Sequence, residues 1–142
     1  TPILLYDPVR SAIGIVHAGW MGTVKKVAVS AVNAMSAAYG SRPEDLLAGI
    51  GPSIGPDHYE IGPDVINRVR EVFHADASRM LIRLGERTHF DLWEANRIQL
   101  SNAGIKNIEI SEMCTACHTE DWYSHRAEKG RTGRFGALMA LL

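Results

Sequence analysis

Only two cysteines occur in 142 residues, too few for the disulfide framework that staples small secreted domains. Long hydrophobic runs are missing as well. No apolar stretch approaches the roughly 20 residues that span a bilayer, and no basic leader precedes a cleavable apolar segment. Nor is there an excess of one charge. Fifteen Lys and Arg stand against sixteen Asp and Glu, a formal charge of −1. That balance excludes sequence-independent nucleic-acid binding, which is driven by displacing counterions from many phosphates. Repeats and low-complexity tracts are absent. What remains is a chain with 46% hydrophobic and 22% charged residues, enough to bury a core. The expectation is a cytoplasmic globular protein with neither a nucleic acid nor a membrane as partner.

The two ends are apolar. Thr1-Pro2-Ile3-Leu4-Leu5-Tyr6 starts directly in a β-type run, and Phe135 to Leu142 ends in another, expected to be a buried strand. Self-contained domains usually begin with loosely held polar residues. The chain therefore reads as the C-terminal part of a longer protein, with 1–142 belonging to one domain.

Between the ends, short strand and helix patterns alternate. Ile3 to Tyr6 and Ala12 to Val16 predict strands joined by a turn at Asp7-Pro8. A helix is expected from Thr23 as N-cap, with Val24, Val27, Ala28, Ala31, Met35 and Ala38 on one face and Gly40 as its stop. Leu46 to Ile50 predicts a strand, and Pro63 opens a helix buried through Val65, Ile66, Val69, Val72 and Phe73. Met80 to Leu84 predicts another strand. Asp91 is an N-cap for a helix ending at Gly104, and Ile105 to Ile110 predicts a further strand. The fold class is α+β, a layered mixed β-sheet with helices.

Several residues can carry chemistry. His17 ends a buried strand and meets the glycine-bearing segment Ala18-Gly19-Trp20-Met21-Gly22. It is either a metal ligand or base, or a core histidine satisfied by a carbonyl. Trp20 either packs in the core or offers a stacking surface. Gly51 to Pro56 is a rigid turn around Ser53 without the spacing or lysine of a phosphate-binding P-loop. In the following Asp57-His58-Tyr59-Glu60, strand alternation would send Asp57 and Tyr59 to one face and His58 and Glu60 to the other.

Cys114-Thr115-Ala116-Cys117-His118 matches the c-type haem attachment pattern. The same cysteines with His118 or His125 suggest zinc, and buried or redox-sensitive thiols are a third reading. Arg126 and Arg134, in a glycine-bearing loop, form either an anion-binding fork or a solvated basic surface.

Together these segments are more specific than any one. His17-Ala18-Gly19-Trp20, Ile50 to Pro56 with Tyr59-Glu60, Phe90-Asp91-Leu92 with Ala95-Asn96, Cys114-Thr115, Ser124-His125-Arg126 and Thr132-Gly133-Arg134 occur in the order typical of one family. Over nearly all its length the chain resembles the bacterial polyphenol-oxidase or laccase-domain family, also described as purine nucleoside phosphorylases with adenosine deaminase activity.

The resemblance implies a zinc held by two histidines and a cysteine, of which His17 is one. The cysteine would fall at or just before Thr1, and the other histidine further upstream. It implies a purine nucleoside and phosphate as small-molecule partners, Trp20, Arg126 and Arg134 as substrate or anion contacts, and His125 and Tyr59 as catalytic or pocket-lining candidates. Two departures stand out: Met21 where the family commonly has arginine, and Asp57-His58 where it often has two cysteines.

Copper is the less favoured metal. A multicopper centre needs closely spaced histidine pairs, and the six histidines here include no pair two residues apart. Two other readings stay open: a redox or metal-binding protein using Cys114, Cys117 and His118, and a non-catalytic interaction module.

Overall fold

In the computed structural model, which describes residues 1–142, β1 (Pro2–Asp7) and β2 (Ala12–His17) form an antiparallel hairpin from Pro2 opposite His17 to Asp7 opposite Ala12. Asp7 closes it. Its Oδ1 accepts hydrogen bonds from the amides of Val9 and Arg10, both at 2.9 Å. The neighbouring Ser41 hydroxyl and these two amides hold the Asp7 carboxyl below its usual range, against the opposing effect of burial.

A depressed pKa means that the carboxylate adds stability above the unfolded-state value and loses it as pH falls through the folded-state value. Asp7→Asn is therefore expected to lower the melting temperature at neutral pH. The gap to the parent protein should narrow as pH drops below about 4, the ordinary Asp value. A gap independent of pH in thermal melts would contradict this.

Four strands make the main sheet, in the order β2-β1-β3-β6, with β3 (Leu47–Ile50) antiparallel to β1 and β6 (Asn107–Ile110) parallel to β3. β2, β3 and β6 consequently run in the same direction, so their C-terminal ends reach one edge of the sheet. Alternation along β1 buries Ile3 and Leu5 on the face that also receives Ala48 and Ile50 of β3.

Onto that face pack α2 (Val27–Tyr39), through Ala28, Val32 and Met35, and the Leu100 end of α5 (Leu92–Asn102). Gly14 lies where a Cβ would stand 3.0 Å from the Met35 sulfur, so its lack of a side chain lets α2 approach β2.

A second core forms around Phe90. It joins α3 (Pro63–Phe73), α4 (Ala77–Met80), the hairpin of β4 (Leu81–Leu84) with β5 (Arg87–Phe90), and the Leu92–Ile98 part of α5. α5 thus serves both cores. Its N-cap is Asp91, whose Oδ1 accepts from the Glu94 amide at 2.9 Å, a cap of about 1 kcal/mol.

Gly40 and Gly104 stand past the ends of α2 and α5 with φ of 67° and 101°, as expected of C-terminal stops.

The structure corrects four expectations here. The helix does not start at a Thr23 cap: α1 (Trp20–Val24) already contains it, and Thr23 is buried against Asn96. Lys26 then adopts φ 58° and breaks the run, which separates Val24 from the face that α2 buries. Met80 belongs to α4 rather than to the following strand.

The Phe135–Leu142 run is not a buried strand either. It is irregular, and Leu138 is 93% exposed. Trp122 packs edge-on against Phe135 with ring centroids 4.8 Å apart, and the Tyr123 ring lies over Gly133, where a Cβ would come within 2.7 Å. No strand of the main sheet pairs with the run.

Candidate functional site

The co-directional ends of β2, β3 and β6 decide where the site lies. His17 ends β2. The loop 51–60 leaves β3 and the loop 111–134 leaves β6. The parallel pairing continues past both strands, with the Ser53 amide donating to Met113 at 3.2 Å and the Thr115 amide to Ser53 at 3.0 Å. Loops at the carboxyl ends of parallel strands are the usual place for a site in such sheets.

A cavity of about 750 Å³ opens there, within the roughly 300–1,000 Å³ typical of small-molecule sites. His17, Trp20, Tyr59, His125, Arg126 and Arg134 all line it, although 117 residues separate the first from the last.

Each wall has a local cause. Trp20 starts α1 and packs against the second core. Tyr59 is held by β5: the Phe90 amide donates to the Tyr59 carbonyl at 2.9 Å, and the two rings stack with centroids 6.3 Å apart. Arg126 places its guanidinium 5.2 Å from the centre of the Tyr59 ring and donates to the Glu60 carbonyl at 2.8 Å. Arg134 donates to the Gly133 carbonyl at 2.8 Å. Neither arginine hydrogen-bonds to a carboxylate, so both charges remain available to an anion.

Desolvation by burial lowers the His17 pKa and favours the neutral imidazole that can ligate or accept a proton. Burial pushes the Tyr59 phenol up, partly offset by Arg126.

Composition and spacing did not single out Ser53, Thr115 or Tyr123, which also line the cavity. The Ser53 hydroxyl accepts from the Trp93 indole at 2.7 Å. The available signals were the rigid turn around Ser53 and the Cys114-Thr115 motif, and none pointed to Tyr123.

A second grouping lies on the same pair of loops. Asp57, His58, Cys114 and Cys117 bring their ligand atoms within 4.8 Å of one another. This overturns two expectations. Residues 56–58 form a turn rather than an alternating strand, so Asp57 and His58 share a side, 3.0 Å apart. The cysteines meet neither His118 nor His125: His118 turns to Glu120 at 3.5 Å, and His125 lies in the cavity. Hydrogen bonding to Cys114 and desolvation, with the charges of Cys114 and Asp57, push the Cys117 thiol up to about 11.

Around His17, by contrast, no group of three or more such side chains assembles. A single imidazole does not complete a zinc site.

The model of a family described as multi-copper polyphenol oxidoreductase laccase matches residues 1–142. The chain belongs to this family. A purine nucleoside phosphorylase of Deinococcus radiodurans is 39% identical over 140 residues, covering 99% of this chain and 53% of that protein. Purine nucleoside phosphorylase LACC1 of Homo sapiens is 36% identical over 132 residues, covering 87% and 30%.

Among solved structures, a Bacillus licheniformis hypothetical protein YfiH shares the fold with a TM-score of 0.87 at 40% identity, over 93% of this chain and 51% of that one. The chain thus spans about half the length of its bacterial relatives in the polyphenol-oxidase family. No helix is long and apolar enough to cross a membrane.

Proposed function

We propose that these residues form the C-terminal part of a purine nucleoside phosphorylase site in one laccase-type domain. The observation that carries the reading is the cavity itself, which joins two flat aromatic walls, two uncompensated guanidinium groups and two imidazoles. The relatives named purine nucleoside phosphorylase support the same class of substrate.

Trp20 and Tyr59 would stack on the planar base, and Arg126 and Arg134 would hold phosphate through charge-assisted hydrogen bonds. A phosphate oxygen attacks the anomeric carbon of the ribose as the bond to the purine nitrogen breaks. The base leaves with the electron pair and takes up a proton, for which His125 is the proposed donor. The products are a free base and ribose 1-phosphate. The guanidinium groups orient the nucleophile and offset the charge that gathers as the bonds exchange.

His17 is the proposed contribution of this chain to a zinc site, with the other ligands outside these residues. When bound, zinc supplies Lewis-acid polarisation or a hydroxide near neutral pH, which is the chemistry an adenosine deaminase activity would need. The scatter of the histidines favours zinc over a multicopper centre: His17 and His125 lie at the cavity, His58 with the cysteines, His89 in β5 and His118 at the surface.

The test is to supply adenosine and inosine to the full-length protein with and without phosphate, and with and without chelator. Release of free base only in the presence of phosphate is the expected result. Phosphate-independent inosine formation from adenosine would assign deamination. Arg126→Ala should raise the KM for phosphate by about 10- to 100-fold, the value of a lost charged hydrogen bond. Absence of turnover on every nucleoside would reject the reading.

A further inference from the structure

We propose that Asp57, His58, Cys114 and Cys117 form a structural zinc site that ties the loop after β3 to the loop after β6. It is separate from any metal at His17 and does not depend on the nucleoside reading.

The argument starts from distances. The His58 Nδ1 lies 3.8 Å from the Cys114 sulfur, 3.6 Å from the Cys117 sulfur and 3.0 Å from the Asp57 Oδ2, which in turn lies 3.7 Å from the Cys117 sulfur. Zinc takes thiolates at about 2.3 Å and imidazole or carboxylate at about 2.0 Å, so the edges of its tetrahedron run about 3.3–3.8 Å. The four donors already stand near the corners of such a figure. Two soft sulfurs, one imidazole and one carboxylate are also a donor set that suits zinc.

The surroundings fit a ligated thiolate. The Gly55 amide donates to the Cys114 sulfur at 3.1 Å, a bond that would spread negative charge off the sulfur. Glycine at position 55 leaves both donors room where they stand: a Cβ there would come within 2.7 Å of an Asp57 carboxylate oxygen and 3.1 Å of the Cys114 sulfur. Both cysteines are free, and Cys117 is exposed, giving a metal ion a route in.

The site would act as a clamp. His58 precedes Tyr59 and Cys114 precedes Thr115, so fixing one pair to the other fixes two walls of the cavity. The ligands are 56 to 60 residues apart across the two loops, and a metal bridge between them constrains the chain much as a cross-link does.

The experiment counts metal in the reduced full-length protein and follows cobalt substitution, because tetrahedral thiolate cobalt has intense visible bands and a near-ultraviolet charge-transfer band. One metal equivalent per chain should disappear in Cys117→Ser and in His58→Asn, along with the bands of a two-thiolate cobalt site. His118→Asn should keep both, and His17→Ala should keep the two-thiolate bands while losing only those of a metal at His17.

Cys117 is exposed, so the serine variant should retain its circular dichroism while the 111–134 loop becomes more open to protease. The proposal is overturned if Cys117→Ser keeps the full metal content and bands, if His118→Asn loses them, or if reduced protein takes up no cobalt. A His17→Ala protein without turnover but with intact two-thiolate bands supports the clamp independently of the nucleoside chemistry.

Discussion

Replacing His17 by alanine in the full-length protein is expected to lower kcat/KM for nucleoside turnover by more than about 100-fold. Loss of an outer-shell partner of a metal ligand already costs about 10- to 100-fold, and a ligand should cost more. The proposed ligand role is compatible with the position of His17 at the end of β2, opposite Pro2, with its side chain at the cavity rather than in the core. Gly19 keeps the approach open, since a Cβ there would stand 3.3 Å from the His17 Nε2. The measurement is steady-state kinetics with added zinc, alongside metal content. Activity within tenfold of the parent protein would remove His17 from the site.

The largest expected loss of stability is at Phe90. Its side chain is fully buried and packs with Val69, Met80, Leu92 and Ile98 in the second core. Phe90→Ala should cost about 3–5 kcal/mol, transfer and cavity contributions together. At about 3–5 °C per kcal/mol for a unit of this size, the melting temperature should fall by roughly 10–20 °C. Phe90→Leu keeps most of the volume and should cost less than about 1.5 kcal/mol.

The alanine variant also removes the surface on which the Tyr59 ring stacks, so the cavity wall should loosen with it. A loss below about 1 kcal/mol in thermal or urea unfolding would show that the second core repacks around the gap.

The expectations that held rest on short-range signals. Asp91 caps α5 as its sequence position predicts, because the side chain has only to reach an amide three residues on. Gly40 and Gly104 stop their helices for an equally local reason, the left-handed backbone that a helix end demands.

The misplaced elements depend on context instead. The Phe135–Leu142 run has the composition of a strand, but a strand also needs a partner to pair with, and no strand of either sheet pairs with this run. Asp57 and His58 alternate on paper, yet the turn that follows Gly55-Pro56 aims both at one point.

By itself the sequence determined the α+β class, most element ends and the family, through periodicity, caps and an ordered set of motifs that each span a few residues. Only the tertiary structure decided that the six candidate site residues share one cavity, and that Cys114 and Cys117 meet Asp57 and His58 rather than His118. The reason is the parallel pairing of β3 with β6, which carries two distant loops to the same edge of the sheet. That juxtaposition is a property of strand order, which the spacing of residues along the chain does not encode.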